Sequence, residues 1–144
     1  ERRERLLWLG VLFDGEGHIS LRMGRRQLIA NAGITNTDVT TLKEVVSIFE
    51  ALQLPYRVNE ITRIDARHKK RCWQVVFGSL KRVREFLLVI EPFLIGKKER
   101  AQVVLSVIEH RYATMDKRPA LGPRNSVKDD SWLVEQLEGL KIYR

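Results

Sequence analysis

The chain has 144 residues, 44% of them hydrophobic, with 26 Lys and Arg against 18 Asp and Glu and a formal charge of +8. That length predicts a single domain over residues 1–144, and no uninterrupted apolar run exceeds about six residues where a membrane-crossing helix needs about 20, so a transmembrane helix is excluded. One cysteine, Cys72, excludes an internal disulfide framework and a Cys-rich zinc site and suits a reducing, intracellular compartment, while the positive charge points to a polyanionic partner.

Residues 4–15 predict a helix that is apolar all round. Leu6, Leu9 and Phe13 share one face, Leu7 and Val11 a second, and Trp8 and Leu12 a third, so cover is needed on more than one side. From His18 to Met23 the residues Ile19, Leu21 and Met23 alternate with His18, Ser20 and Arg22, the period of a half-buried strand. A turn over Gly24 to Gln27 leads to a second alternation, with Leu28, Ala30, Ala32 and Ile34 on one side and Gln27, Ile29, Asn31 and Gly33 on the other. Thr37 or Asp38 can cap the next helix, whose stripe is Leu42, Val45, Val46, Phe49 and Leu52 and whose end is set by Pro55. A second hairpin follows: a strand from Tyr56 to Asp65, a basic connection over Ala66 to Lys70, and a return strand that sets Trp73, Val75 and Phe77 against Cys72, Gln74 and Val76. Ser79 can cap a helix bearing Val83, Phe86, Leu87 and Ile90, with Pro92 at its end, and Lys97 to Tyr112 places Ala101, Val104, Leu105 and Ile108 on one helical stripe. A loop with Pro119, Gly122 and Pro123 leads to a last helix near Trp132, Leu133, Leu137 and Leu140.

The order is α-β-β-α-β-β-α with extra C-terminal helices. Four strands with one apolar face need helices on that face alone, so the expected fold class is α+β, an antiparallel sheet with one polar side left bare. That side and its turns would carry His18, Ser20, Arg22, Arg25, Arg26, Gln27, Asn31, Asn59, Arg63, Arg67, Lys69, Lys70, Arg71 and Gln74. Arg suits guanine, Asn and Gln suit adenine, and Lys suits phosphate, so the set is one that could read base edges and phosphates of a nucleic acid. From Arg57 to Arg71 six basic residues stand against Glu60 and Asp65. An eight-residue strand spans about 26 Å, or roughly seven to eight base pairs at about 3.4 Å each, enough to follow one half-site. Antiparallel sheets do commonly keep one wet face for solubility alone, so charge and alternation leave the choice between the two readings open.

The segment Leu9-Gly10-Val11-Leu12-Phe13-Asp14-Gly15-Glu16-Gly17 resembles the signature nonapeptide of the LAGLIDADG homing endonucleases. Three more places carry the resemblance: Ile34-Thr35-Asn36-Thr37, Glu91-Pro92-Phe93-Leu94 followed by Lys97 and Lys98, and Ser131-Trp132-Leu133-Val134-Glu135-Gln136-Leu137. Together they make the chain similar to the single-motif, homodimeric branch almost end to end. The resemblance implies a site-specific DNA endonuclease of intron-homing type that cuts a long pseudo-palindromic target with Mg²⁺ or Mn²⁺. It implies Glu16 as metal ligand, Asn36 as the polar residue that orders the nucleophilic water, Lys97 beside the scissile phosphate, and Asp14 in the structural turn of the motif. A dimer interface built on Leu9, Gly10 and Phe13 is implied as well.

The sequence departs from the pattern in places. Gly10-Val11 replaces the usual Ala-Gly pair, Asn36 stands for the more common Gln, and Thr40 takes a position often basic in the family. No rival chemistry shows: His18, His68 and His110 lack metal-ligand spacing, and Cys72 has no patterned base partner. The resemblance also admits two other classes, an RNA maturase acting on intron RNA and a DNA-binding regulator that keeps the fold without cutting. No membrane partner is expected.

Overall fold

The computed structural model describes residues 1–24, 27–65 and 68–114, with backbone alone for 62–65, 68–71 and 114. The elements are α1 (Arg2–Glu16), β1 (Gly17–Met23), β2 (Leu28–Asn36), α2 (Val39–Ala51), β3 (Arg57–Asp65), β4 (His68–Phe77), α3 (Leu80–Ile90), a single 3₁₀ turn over Glu91–Phe93, and α4 (Lys98–Thr114). The strands form one antiparallel sheet in the order β1-β2-β4-β3, so two hairpins are joined through β2 and β4. The expected α+β class and element order hold. The Trp132 helix and the loop through Pro119 fall outside the described residues.

Local chemistry sets the boundaries. Asp38 caps α2 by accepting from the Thr40 N–H at 2.9 Å and the Thr41 hydroxyl at 2.8 Å, and Ser79 caps α3 by accepting from the Arg82 N–H. The end of α2 is set less by Pro55 than by a Schellman pair, Leu54 N–H to Phe49 C=O and Gln53 N–H to Glu50 C=O, with Gln53 at φ 56°. The second hairpin differs from the sequence expectation. His68, Lys69 and Lys70 do not belong to a turn: they stand opposite Asp65, Ile64 and Arg63 in strand register, which leaves a two-residue connection. Pairing there satisfies backbone groups that a longer basic loop would leave to water.

The core lies between the sheet and the helices. Ile19 and Leu21, Ala30, Ala32 and Ile34, and Val75 and Phe77 face it from the strands, and Val45, Phe49, Val83, Phe86, Val104 and Ile108 meet them from the helices. Phe86 is its hub, with ring centroids 5.2 Å from Phe13, 5.5 Å from Phe49 and 4.7 Å from Phe77. Cys72 alternates with Trp73 as expected but is 7% exposed, so the side of β4 away from the core is not uniformly wet.

The assignment of Leu9, Gly10 and Phe13 to a dimer interface is corrected. Leu9 and Phe13 are fully buried within the chain, and Gly10 abuts the 3₁₀ turn, where a Cβ would lie 2.4 Å from the Phe93 carbonyl oxygen. The glycine admits that turn rather than a second subunit. Of the faces of α1, the one left open carries Leu7, Trp8 and Val11, with Val11 72% exposed. Gly10→Ala should therefore destabilise the subunit itself, by about 1 to 3 kcal/mol as the backbone of the 3₁₀ turn is pushed aside. Urea midpoints that match wild type would contradict this packing.

Candidate active end and nucleic-acid interface

Two opposed helix ends meet at one corner of the sheet. α1 finishes at Glu16, and two of its last carbonyls find partners beyond the helix: Phe13 C=O accepts from the Gly17 N–H, and Asp14 C=O accepts from the Lys97 ammonium. The Asp14 carboxylate turns the other way and accepts from the Ile95 N–H at 2.8 Å and the Lys97 N–H at 2.9 Å, the backbone donors just ahead of α4. Each charge thus sits at the helix end whose dipole favours it, Lys97 at a C-terminus and Asp14 at an N-terminus. Asp14 in the last turn of α1 is an electrostatic misfit when that helix is considered alone, and the N–H groups ahead of α4 offset it.

A cleft of about 420 Å³ opens beside this joint, lined by Asp14, Gly17, His18, Ile19, Gly96, Lys97, Glu99 and Arg100. Arg100, one helical turn from Lys97, donates from Nε to the Ile19 carbonyl at 2.8 Å and ties α4 to the edge of β1. Sequence reading missed Arg100, although its i, i+3 spacing from Lys97 was a usable signal. His18 is half-buried, and its ring rests over Gly33, where a Cβ would come within 3.0 Å of Cε1. Burial, and then the Lys97 charge, push the imidazole pKa below its ordinary value.

The residues expected to carry catalysis divide into two groups. Lys97 lines the cleft with Asp14 and His18. Glu16 and Asn36 do not line it, yet they lie at the same end of the sheet, since Gly17 pairs with Ile34 and the strands run on from there to Asn36. Asn36 stands opposite Trp73, and its side-chain oxygen accepts from the Asp38 N–H at 2.9 Å, so the local turn fixes its direction. Glu16 is exposed. Among the described residues no three His, Cys, Asp or Glu side chains form a group that could hold a metal ion. One chain therefore offers Glu16 as an open carboxylate beside an Asp14 already engaged.

Away from this corner the sheet shows an ordered outer face. His18 pairs with Gly33, Ser20 with Asn31 and Arg22 with Ile29 on the first hairpin; Arg57 pairs with Val76, Asn59 with Gln74 and Ile61 with Cys72 on the second. Thr35 pairs with Gln74 and joins the two. The expected residues His18, Ser20, Arg22, Asn31, Asn59 and Gln74 all share this face. Gln27 is exposed at the first hairpin turn, where its carbonyl accepts from the Gly24 N–H. Arg63 stands opposite Lys70, Lys69 opposite Ile64, and Arg71 opposite Thr62 in register. Arg25, Arg26 and Arg67 fall outside the described residues. Two residues that the sequence reading left out belong here. Arg57 alternates with Asn59 and passes over Gly78, where a Cβ would lie 3.2 Å from its Nη2. Thr35 sits between Gly33 and the end of β2.

The depressed His18 pKa has a definite sign. The unfolded chain binds a proton more readily than the folded one, so the neutral ring supports stability above the unfolded value of 6.5, and that support is lost as pH falls through the lower folded value. A His18→Gln variant should lose less stability than wild type on acidification below pH 6.5. In Lys97→Met the His18 resonance should titrate nearer its ordinary value, because one of the two causes is gone. An unmoved His18 titration would separate the two side chains.

No protein-family model matches the chain, and no curated protein matches it in sequence. Solved structures do match in fold. The homing endonuclease I-CvuI in complex with its target, in the presence of calcium, aligns over 99% of this chain and 83% of that one, with a TM-score of 0.69 and 18% identity. I-CvuI with the I-CreI target, in the presence of magnesium and with the DNA not cleaved, gives 0.67 and 17% over the same shares. The LAGLIDADG meganuclease I-AabMI bound to uncleaved DNA gives 0.55 and 13%, with 72% of this chain spanning 36% of that one. The chain has the homing-endonuclease fold.

Proposed function

We propose that this chain is a site-specific endonuclease for double-stranded DNA that reads its target on the outer face of the sheet and cuts at the Glu16 end as a homodimer. The observation that carries the reading is the one-sided placement of base-reading groups. His18, Ser20, Arg22, Asn31, Arg57, Asn59 and Gln74 share a face whose opposite side is packed core. These are the donors and acceptors that distinguish base pairs in a major groove. The fold relatives I-CvuI and I-AabMI, each solved with DNA, support the same use of the fold.

Pairing of two subunits is supported by the open face of α1. Leu7 is 45% exposed, Trp8 40% and Val11 72%, an apolar strip that a second copy of the helix would bury. Two-fold pairing there would bring both Glu16 ends together and present two sheets to two half-sites, which calls for a long, pseudo-palindromic target of the kind an intron-homing enzyme attacks. At about 4 Å and an effective dielectric near 20, two such carboxylates would repel by about 4 kcal/mol. A divalent cation suits that place, since Mg²⁺ takes one or two carboxylates and completes its shell with water and phosphate oxygens. Glu16 would hold it, and a bound ion would supply positive charge for the phosphate and lower the pKa of a water. Asn36, fixed by its turn, orients water by hydrogen bonding, and Lys97 holds a positive charge beside the cleft. Asp14 keeps the joint.

The test is cleavage of a plasmid library carrying long randomised targets, with Mg²⁺, followed by sequencing of the cut ends. Glu16→Gln keeps the side-chain shape and removes the charge, so cutting should disappear while metal-free DNA affinity stays level or rises through reduced repulsion. A Glu16→Gln protein that cuts at the wild-type rate would end the ligand assignment. Val11→Glu should turn the dimer into a monomer in sedimentation at micromolar concentration, and a wild type already monomeric there would sink the pairing of α1. Binding should also fall steeply with salt, with a log-log slope near −0.9 for each phosphate contact.

A further inference from the structure

The outer face of the second hairpin is a ladder of cross-strand pairs at two-residue steps, and one rung breaks its polar character. Asn59 pairs with Gln74, and the next pair on that side in strand register is Ile61 with Cys72, followed by the backbone pair of positions 63 and 70. The side is fixed by register. Val58 pairs with Val75, which is fully buried in the core, so Ile61, an odd number of residues further along β3, belongs to the opposite side with the exposed Asn59. Cys72 is buried and Ile61 half-buried, so the part of Ile61 left open is an apolar surface next to the amides of Asn59 and Gln74.

We infer that Ile61 covers the 5-methyl group of a thymine, giving the protein a thymine preference at one position of each half-site; this rests on the DNA-reading function of the sheet. Two residues of strand advance about 6.6 to 6.8 Å, close to the rise of two base pairs. The apolar rung therefore falls about two base pairs from the Asn59–Gln74 rung, in register with the same groove. The thymine methyl is the only apolar group on the major-groove edges of the bases. Any other edge placed under Ile61 would lose water from a donor or acceptor and gain no partner, which disfavours adenine, cytosine and guanine there.

The experiment starts from wild-type protein and randomised duplexes, selects the bound sequences, and replaces each thymine of the selected duplex in turn by deoxyuridine, which lacks only the methyl group. One position in each half-site should weaken wild-type binding about fourfold, the equivalent of about 0.8 kcal/mol for one buried methyl group. Ile61→Ala should bind the thymine and deoxyuridine forms of that position alike and keep its preferences elsewhere. Deoxyuridine without effect at every position would overturn the inference, as would full methyl sensitivity in Ile61→Ala. A wild type that enriches no sequence would overturn the DNA-reading function itself. The first comparison alters only the DNA, so it stands whatever the stability of the variant.

Discussion

The contact between the Asp14 carboxylate and the two N–H groups ahead of α4 holds together the corner where α1 meets α4. It joins the C-terminal end of one helix to the N-terminal end of another more than 80 residues away in the chain. Charge-assisted bonds of this kind contribute about 1.5 to 3 kcal/mol each, roughly twice a neutral pair. What matters more is where they put other groups. Lys97 is brought to the last carbonyls of α1, His18 is set beside Lys97, and Glu16 is left as the outward carboxylate of the same turn. The motif of α1 thus has two acidic residues with separate duties, one that builds the corner and one that it exposes.

The sheet extends the same division of labour. Alternation sends Ile19, Leu21, Ala32, Ile34, Val75 and Phe77 into the core and leaves a graded outer face, with His18 at the corner, amides at Asn31, Asn59 and Gln74, and cations at Arg22 and Arg57. The helices cover only the inner side, so no element of the described fold competes for the outer groups. A bare face next to a turn that presents a carboxylate suits an enzyme that binds a long polyanion and acts on it at one end of the contact.

Much of this was legible in the sequence because period-two and period-3.6 signals are strong where one side of an element is buried. Both hairpins followed from that physics, and the cap chemistry of short polar side chains marked Ser79 and narrowed the other cap to Thr37 or Asp38, of which Asp38 makes the bond. Three features did not. The helix α1 is apolar on every side, so periodicity could not say whether Leu9 and Phe13 or Leu7 and Val11 would face inward; the choice is made by the 3₁₀ turn that lies against Gly10. The density of charge from His68 to Lys70 imitated a turn, because a strand whose side chains are basic has no apolar alternation to announce it. The partners of Asp14 are Ile95 and Lys97, and nothing local in the chain marks a carboxylate that will be bonded from such a distance. Resemblance to a family placed Asp14 in a structural turn, and the geometry supplies the reason.

The central claim is that duplex DNA lies against the outer face of the sheet and reaches the corner where α1 meets α4. Hydrogen exchange read by mass spectrometry, on the protein alone and with a duplex selected by its own binding, tests that most directly. Protection confined to β1, β2, β3, β4, the α1–β1 junction and the start of α4 is the result expected. Protection centred on the outer surfaces of α2 and α3, with the strands unchanged, would contradict it.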